Sequence, residues 1–256
     1  MQEDDHHLVT RFARTEADRL GAERLRYSVF VDELGGDGDM VDHVGRFERD
    51  RFDEHAEHLV LVDTRRDEGQ LEHVVGVYRL MDGETAAQLG GFYTEGEYDL
   101  TKLKQSGRRL LELGRSCVHP DYRGGKAVYR LWNALAARID ETGTEVLFGV
   151  ASFHGRDPAA IAAPLSLLYH AHLAPPELRV RARVYQPMNL VPREAIDRAD
   201  AMRRVPALIK AYLRLGGFVG DGAYIDEKFN TIDVCLIMDM SRLTARSRAI
   251  YGKARP

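Results

Sequence analysis

The sequence predicts an α/β protein built on one mixed sheet. Two runs rich in β-branched residues, HLVLVD at 58–63 and HVVGVYRLM at 73–81, lie close together and read as paired strands. An amphipathic helix, KAVYRLWNALAARIDETG at 126–143, sits between two further strand-like runs at 109–119 and 144–153. Helical and extended periods then alternate to the C-terminus. The order strand, helix, strand, strand, strand, helix, strand is that of helices packed on a sheet.

Each element follows in turn. HLVTRFA at 7–13 suits an edge strand. From Thr15 to Leu34 the apolar residues Leu20, Leu25, Val29 and Phe30 suit a helix capped by Thr15. GGDGDMVDHVGRFERDRFDEHAE is a long, aspartate-rich loop, and long loops in compact domains usually carry function. RRDEGQ turns the chain between the two paired strands. A short helix is expected near 98–106, then a strand over 109–119. In helix 126–143, Val128, Leu131, Trp132, Leu135 and Ile139 share one face, and Gly143 ends it. The apolar run TEVLFGVASF is expected to be a central strand. A helix should follow from Pro158, and an extended segment over VRARVYQPMNL. ADAMRRVPALIKAYLRLG reads as one helix with a stripe of Val205, Leu208, Ile209, Tyr212 and Leu213 and a basic face of Arg203, Lys210 and Arg214. FVGDGAYIDEKFNTIDVCLIMDM reads as two strands, and 241–256 as a basic tail with a short helix.

Bulk composition narrows the function. With 256 residues, 44% hydrophobic and 30% charged, the chain suits one large folded domain. A net charge of −4 excludes a nucleic-acid binder held by overall electrostatics. Cys117 and Cys235 are far apart, form no metal-type cluster and fit a reduced, cytoplasmic protein. The stretch MQEDDHHLVT lacks the basic start and apolar core expected of a signal peptide, and no run of about 18 apolar residues exists to span a bilayer. Membrane contact, if made, is expected to be peripheral. The ten histidines form no HExxH pattern, so no metal is expected.

The stretch LLELGRSCVHPDYRGGKAVYRLWNAL runs from strand to helix through the basic, glycine-rich turn Arg123-Gly124-Gly125-Lys126-Ala127. Glycines let backbone N–H groups approach an anion, and the helix that follows adds its positive end. The spacing alone reads either as such a cradle or as a plain glycine turn. It is neither a Walker A loop nor a dinucleotide fingerprint.

VHPDYRGGKAV resembles the phosphate-binding turn of the GNAT acyltransferase superfamily, although Tyr122 stands where Gln or Arg is usual. LRYSVFVDELGG, RFERDRFDEHAEHLVLVD, VVGVYRLM and LELGRSCV follow the order seen in acyl-homoserine-lactone synthases, with the tryptophan usual soon after Phe30 replaced near Gly35 and Gly36. Over nearly the whole chain, ELGRSCVHPDYRGG, LFGVASFHGRDP, LSLLYHAHLAPPELRVRA, LIKAYLRLGGFVGDGAYID and FNTIDVCLIM resemble the L-ornithine N-acyltransferases of bacterial ornithine-lipid synthesis, which are also labelled hemolysin-like.

That resemblance implies a single GNAT-like domain over 1–256, with a core at about 7–155 and family-specific helices and strands over 156–256. It implies transfer of a (3-hydroxy)fatty acyl group from an acyl carrier protein thioester to the α-amine of L-ornithine, with no cofactor beyond that donor. The phosphopantetheine arm falls to Val118, Arg123, Gly124, Gly125, Lys126 and Ala127, and the acceptor to Arg26, Phe30, Asp50, Asp53 and Arg79. Glu112 takes the proton of the attacking amine, and backbone N–H groups around Cys117 and Val118 meet the oxyanion. Arg115 shares the face of Glu112 only through a bulge, which Gly114 permits; otherwise it steadies the loop carboxylates. A nucleophilic Cys117 lacks an indicated His-Asp partner.

Acyl carrier protein is acidic, so Arg123, Lys126, Arg130 and the 203–214 basic face are its candidate contacts. LSLLYHAHLAPPELRVRARV is a candidate for resting on the anionic inner membrane. Acylation of glutamine or another amino acid, lactone synthesis, and a non-enzymatic membrane-interacting protein are the alternatives.

Overall fold

A computed structural model describes residues 5–124 and 126–243. Gly125, expected in the phosphate turn, and the tail beyond 243 lie outside the described residues. The strands are β1 (Leu8–Phe12), β2 (Val41–Asp42), β3 (Phe47–Glu48), β4 (Glu57–Asp63), β5 (Val74–Asp82), β6 (Tyr98–Asp99), β7 (Leu110–Val118), β8 (Val146–His154), β9 (Arg181–Ala182), β10 (Phe218–Val219), β11 (Tyr224–Asp226) and β12 (Thr231–Asp239). The helices are α1 (Glu16–Arg26), α2 (Gly83–Gln88), α3 (Thr101–Gln105), α4 (Lys126–Thr142), α5 (Ala162–His172), α6 (Arg198–Arg204) and α7 (Ala207–Arg214).

The fold is α/β as expected, with an eight-stranded mixed sheet ordered β1-β4-β5-β7-β8-β12-β10 and β11 beside β12. The β7–β8 pair is parallel, from Leu110 opposite Val146 to Glu112 opposite Phe148. The β1–β4, β4–β5 and β8–β12 pairs are antiparallel. The chain divides into two compact units. Among the described residues, one holds those up to Met81 and 113–143, the other 82–112 and 144–243. β7 passes from the second unit into the first.

In the first unit, Thr15 caps α1 as expected. Its side chain accepts from the Asp18 amide at 3.1 Å, while Asp18 accepts from the Thr15 amide in return. Beyond Arg26 the helix widens into a π-helical segment, Tyr27–Glu33, which the apolar spacing did not reveal. Ala22, Leu25 and Val29 pack with Val60, Val62, Val74, Val77 and Cys117. In α4 the buried face is Ala127, Leu131, Trp132, Leu135 and Ile139, so Ala127 takes the inward place expected of Val128. Gly76 on β5 makes room for this helix, because a Cβ there would sit 3.1 Å from Leu131 Cδ1. The aspartate-rich loop contains a small hairpin, β2–β3, turned by the Asp42 carboxylate, which accepts from the Val44 and Gly45 amides.

In the second unit, β12 is buried along its full length and pairs with β8 from Thr231 opposite His154 to Asp239 opposite Val146. The helix expected over ADAMRRVPALIKAYLRLG is two, α6 and α7. Pro206 cannot continue α6 and begins α7 instead. The two strands expected near the C-terminus are three, β10, β11 and β12. Leu165, Leu167 and Leu168 of α5 are buried, so the apolar stretch considered for membrane contact places these leucines inside its unit.

Candidate active site

Arg26, Asp50, Asp53, Arg79 and Arg115 come together in the first unit, and Glu48 joins them. Arg26, wholly buried at the end of α1, donates Nη1 and Nη2 to the two Asp53 oxygens at 2.5 and 2.9 Å, and Nε to Glu48. Arg79 on β5 donates Nη1 to Asp50 at 2.6 Å and to Asp53 at 3.0 Å. Arg115 donates Nε to Glu48 at 3.1 Å and Nη2 to Asp50 at 3.0 Å. Three guanidinium groups and three carboxylates thus form one buried, charge-balanced network.

The chemistry of the network follows from its closure. Burial works against the charge on Asp53, but Arg26 and Arg79 outweigh it and hold its carboxyl far below the usual range. Asp50 is lowered in the same way, burial opposing and Arg79 and Arg115 prevailing. Arg26 is kept charged against its burial by Glu48 and Asp53. The resemblance implies that Asp50 and Asp53 bind the acceptor; in the structure both carboxylates accept hydrogen bonds from the chain's own arginines. Arg49 and Arg51, the neighbours in sequence, are not the partners that neutralise them. Arg49 reaches Asp42 at 3.8 Å, and Arg51 lies over the Phe52 ring.

Arg115 has φ +51°, a left-handed conformation that a non-glycine residue holds at a cost of about 1–2 kcal/mol. That conformation turns the Arg115 side chain to Glu48 and Asp50, the loop carboxylates it steadies. Phe30 lies in the π-helical segment and packs against the Val29 and Cys117 cluster. Cys117 is buried, and burial pushes its thiol up to about 12, which removes the thiolate a nucleophile needs.

In the second unit, Glu112 is buried on β7. Its Oε1 accepts from the Thr94 amide at 2.6 Å and its Oε2 from the Tyr93 amide at 3.1 Å. These amides open the short 3₁₀ helix Tyr93–Gly96. Both carboxylate oxygens are thus oriented by backbone donors that the sequence does not mark.

At the turn after β7, Gly124 has φ +125° and open space where a Cβ would stand, so the backbone there is accessible. Arg123 gives both terminal nitrogens to Glu33 at 2.7 Å and Nε to the Val118 carbonyl at 3.1 Å. Tyr122 donates its hydroxyl to Asp63 at 2.7 Å. Lys126 is exposed at the first position of α4, and Ala127 is buried. Arg130 donates to the Leu8 carbonyl at 3.1 Å. Elsewhere in the second unit, Glu97, Asp226 and Asp233 bring carboxylate oxygens within 4.8 Å of one another, a grouping able to hold a cation and spread too widely in sequence to be read as a motif.

Residues 25–133, which hold the strand-to-helix turn and the buried acid on β7, match the acetyltransferase (GNAT) domain family, so the class is an acyltransferase of the GNAT type. The chain is 55% identical to an L-ornithine N(alpha)-acyltransferase of Rhodobacter capsulatus over 95% of its length and 94% of that protein's. It is 43% identical to the Brucella abortus protein of the same name, over 96% of this chain and 89% of that one. The chain belongs to the L-ornithine N(alpha)-acyltransferase family and is an N-acyltransferase. An N-acyl amino acid synthase from uncultured soil microbes shares the fold, with a TM-score of 0.56, 11% identity and coverage of 92% and 93% of the two chains. A CoA-dependent acyl-homoserine lactone synthase, BjaI, does so with a TM-score of 0.54, 12% identity and coverage of 96% and 89%. No helix among the described residues is long and apolar enough to cross a membrane.

Proposed function

We propose that the protein transfers a (3-hydroxy)fatty acyl group from an acyl carrier protein thioester to the α-amine of L-ornithine, giving a lyso-ornithine lipid. The observation that carries this reading is the 55% identity, over nearly the full length of both chains, to a protein named for ornithine Nα-acylation. The amine nitrogen attacks the thioester carbonyl, the C–N bond forms, the C–S bond breaks, and the carrier thiol leaves with a proton. Glu112, oriented by the Tyr93 and Thr94 amides, accepts the proton that the ammonium loses, directly or through water. Backbone N–H groups of β7 around Cys117 and Val118 meet the oxyanion, and the accessible backbone at Gly124, with Lys126 beside it, meets the single phosphodiester of the carrier's arm.

The test is an endpoint assay with 3-hydroxyhexadecanoyl carrier protein, the matching coenzyme A thioester in a parallel tube, and an equimolar mixture of ornithine and the twenty amino acids. Mass spectrometry is expected to show N-acylornithine as the dominant product from the carrier thioester. Dominant N-acylglutamine, or turnover from the coenzyme A thioester alone, would overturn the acceptor or the donor. Glu112→Ala is expected to lower kcat by at least ~100-fold; wild-type turnover in that variant would remove Glu112 as the base.

A further inference from the structure

We propose that Glu97, Asp226, Asp233 and Thr231 form a cation site that takes the side-chain ammonium of the amino-acid acceptor. This rests on the ornithine reading above and adds where the second ammonium is recognised.

The site is built by sheet register. On β11 and β12, Asp226 stands opposite Thr231 and Tyr224 opposite Asp233. On β12 and β8, Thr231 stands opposite His154 and Asp233 opposite Ser152. Cross-strand partners and alternate residues share a face. One face of this sheet is therefore polar, while Ile232 and Val234 with Phe153 and Ala151 form the apolar other. Glu97 adds a third carboxylate, and the three acids place an oxygen each within 4.8 Å of one another. Glu97 and Asp233 are 5% and 4% exposed, so the cluster is not a solvated acidic surface.

A second observation points to a missing ligand. Thr231 is 6% exposed, and its Oγ1 is shielded from solvent with no hydrogen-bond partner among the described residues. A buried hydroxyl left this way costs free energy unless something accepts or donates there. It sits on the polar face beside Asp233 and across from Asp226. The electrostatics agree. The Tyr224 phenol is pushed up by burial and then by Glu97, Asp226 and Asp233, with Lys228 opposing part of that field.

The placement suits a diamine. Glu97 follows the 3₁₀ helix whose opening amides hold Glu112. Glu112 is thus held at the opening of this short helix and Glu97 stands at its close, so one backbone segment carries both acids. Ornithine carries an ammonium at each end, one for each acid. Glutamine carries no cation at its far end, so the site discriminates between the two. A free divalent cation shares the oxygen chemistry and is the rival occupant.

The experiment compares ornithine with norvaline, which lacks only the δ-ammonium, in the full-length enzyme and in Glu97→Gln, Asp226→Asn and Asp233→Asn. Thermal melts check folding, and Asp226→Asn, on a short partly exposed strand, serves if the buried variants do not fold. The ratio of kcat/KM for ornithine to that for norvaline is expected to fall at least tenfold in the variants. Equal losses for both acceptors would overturn the inference while leaving the ornithine reading intact. No N-acylornithine from the wild-type enzyme would sink both. In the metal arm, the protein is dialysed against EDTA and titrated calorimetrically with Ca²⁺ and with Mg²⁺. Acylation of ornithine that survives chelation is the expected result. Tight metal binding with chelation-sensitive turnover of both acceptors would assign the site to a metal and overturn the ammonium.

Discussion

Arg26 and Asp53 face each other fully inside the first unit, joined by two hydrogen bonds of 2.5 and 2.9 Å that hold the end of α1 to the loop before β4. The pair lies 27 residues apart in sequence, so it closes a long loop as well as a charge pair.

Removing one partner leaves a buried charge without its counterion, which typically costs about 3–5 kcal/mol. Asp53→Ala is therefore expected to lower the urea unfolding midpoint strongly. A loss below about 1 kcal/mol would show that the network is dispensable for folding and return Asp53 to a binding role.

The acid side of the stability profile should be set by lowered carboxyls. Burial opposes the charge on Asp18, but its bonds from Arg11, Arg14 and Thr15 bring its carboxyl down to about 2, and burial is likewise overcome at Asp239 by Arg108 and Ser241, also to about 2. A carboxyl lowered on folding contributes stability above its unfolded value near ~3.9 and loses it as pH falls towards the folded value. Urea midpoints are expected to fall between about pH 4 and pH 2, with a shallower fall in Asp18→Asn. An identical slope in that variant would remove Asp18 from the account.

Cys117 packs among Val29, Val60 and Val77 with its thiol raised to about 12. Cys117→Ala is expected to keep turnover within about threefold, and iodoacetamide to label the native protein far more slowly than the unfolded one. Loss of turnover with an intact melting curve would restore a covalent route.

Arg123 is occupied by Glu33, so its charge reaches a phosphate only in competition with that carboxylate. Glu33→Gln is expected to lower KM for the acyl carrier a few-fold and Arg123→Gln to raise it, because both residues are partly exposed and such pairs contribute at most about 1 kcal/mol. The same KM in both variants would move the phosphate contact off Arg123.

Much of the frame was legible because its signals are local. Thr15 marks a cap within one turn, β-branched runs mark β4 and β5, and the apolar stripe of α4 repeats for seventeen residues. Pro206 was visible too, but the apolar stripe ran across it and masked the break between α6 and α7. Two-residue strands such as β2 and β3 are too short to show a period. The network was half legible. The resemblance located its arginines and aspartates, but Glu48 carries no spacing signal, and the closure of Asp50 and Asp53 by arginines depends on residues up to 65 positions away. The Glu97, Asp226 and Asp233 cluster is assembled only by strand pairing and has no local signature at all.

The charge balance of the first unit's network also limits how such a sequence can drift. Three arginines and three carboxylates sum to zero in a largely buried cluster. A lineage that loses Arg79 alone inherits an uncompensated anion, whereas one that exchanges Arg79 and Asp50 together for apolar groups keeps neutrality. Across descendants, substitutions at 26, 48, 50, 53, 79 and 115 should therefore arrive as oppositely charged pairs, so that these six positions evolve as one heritable unit.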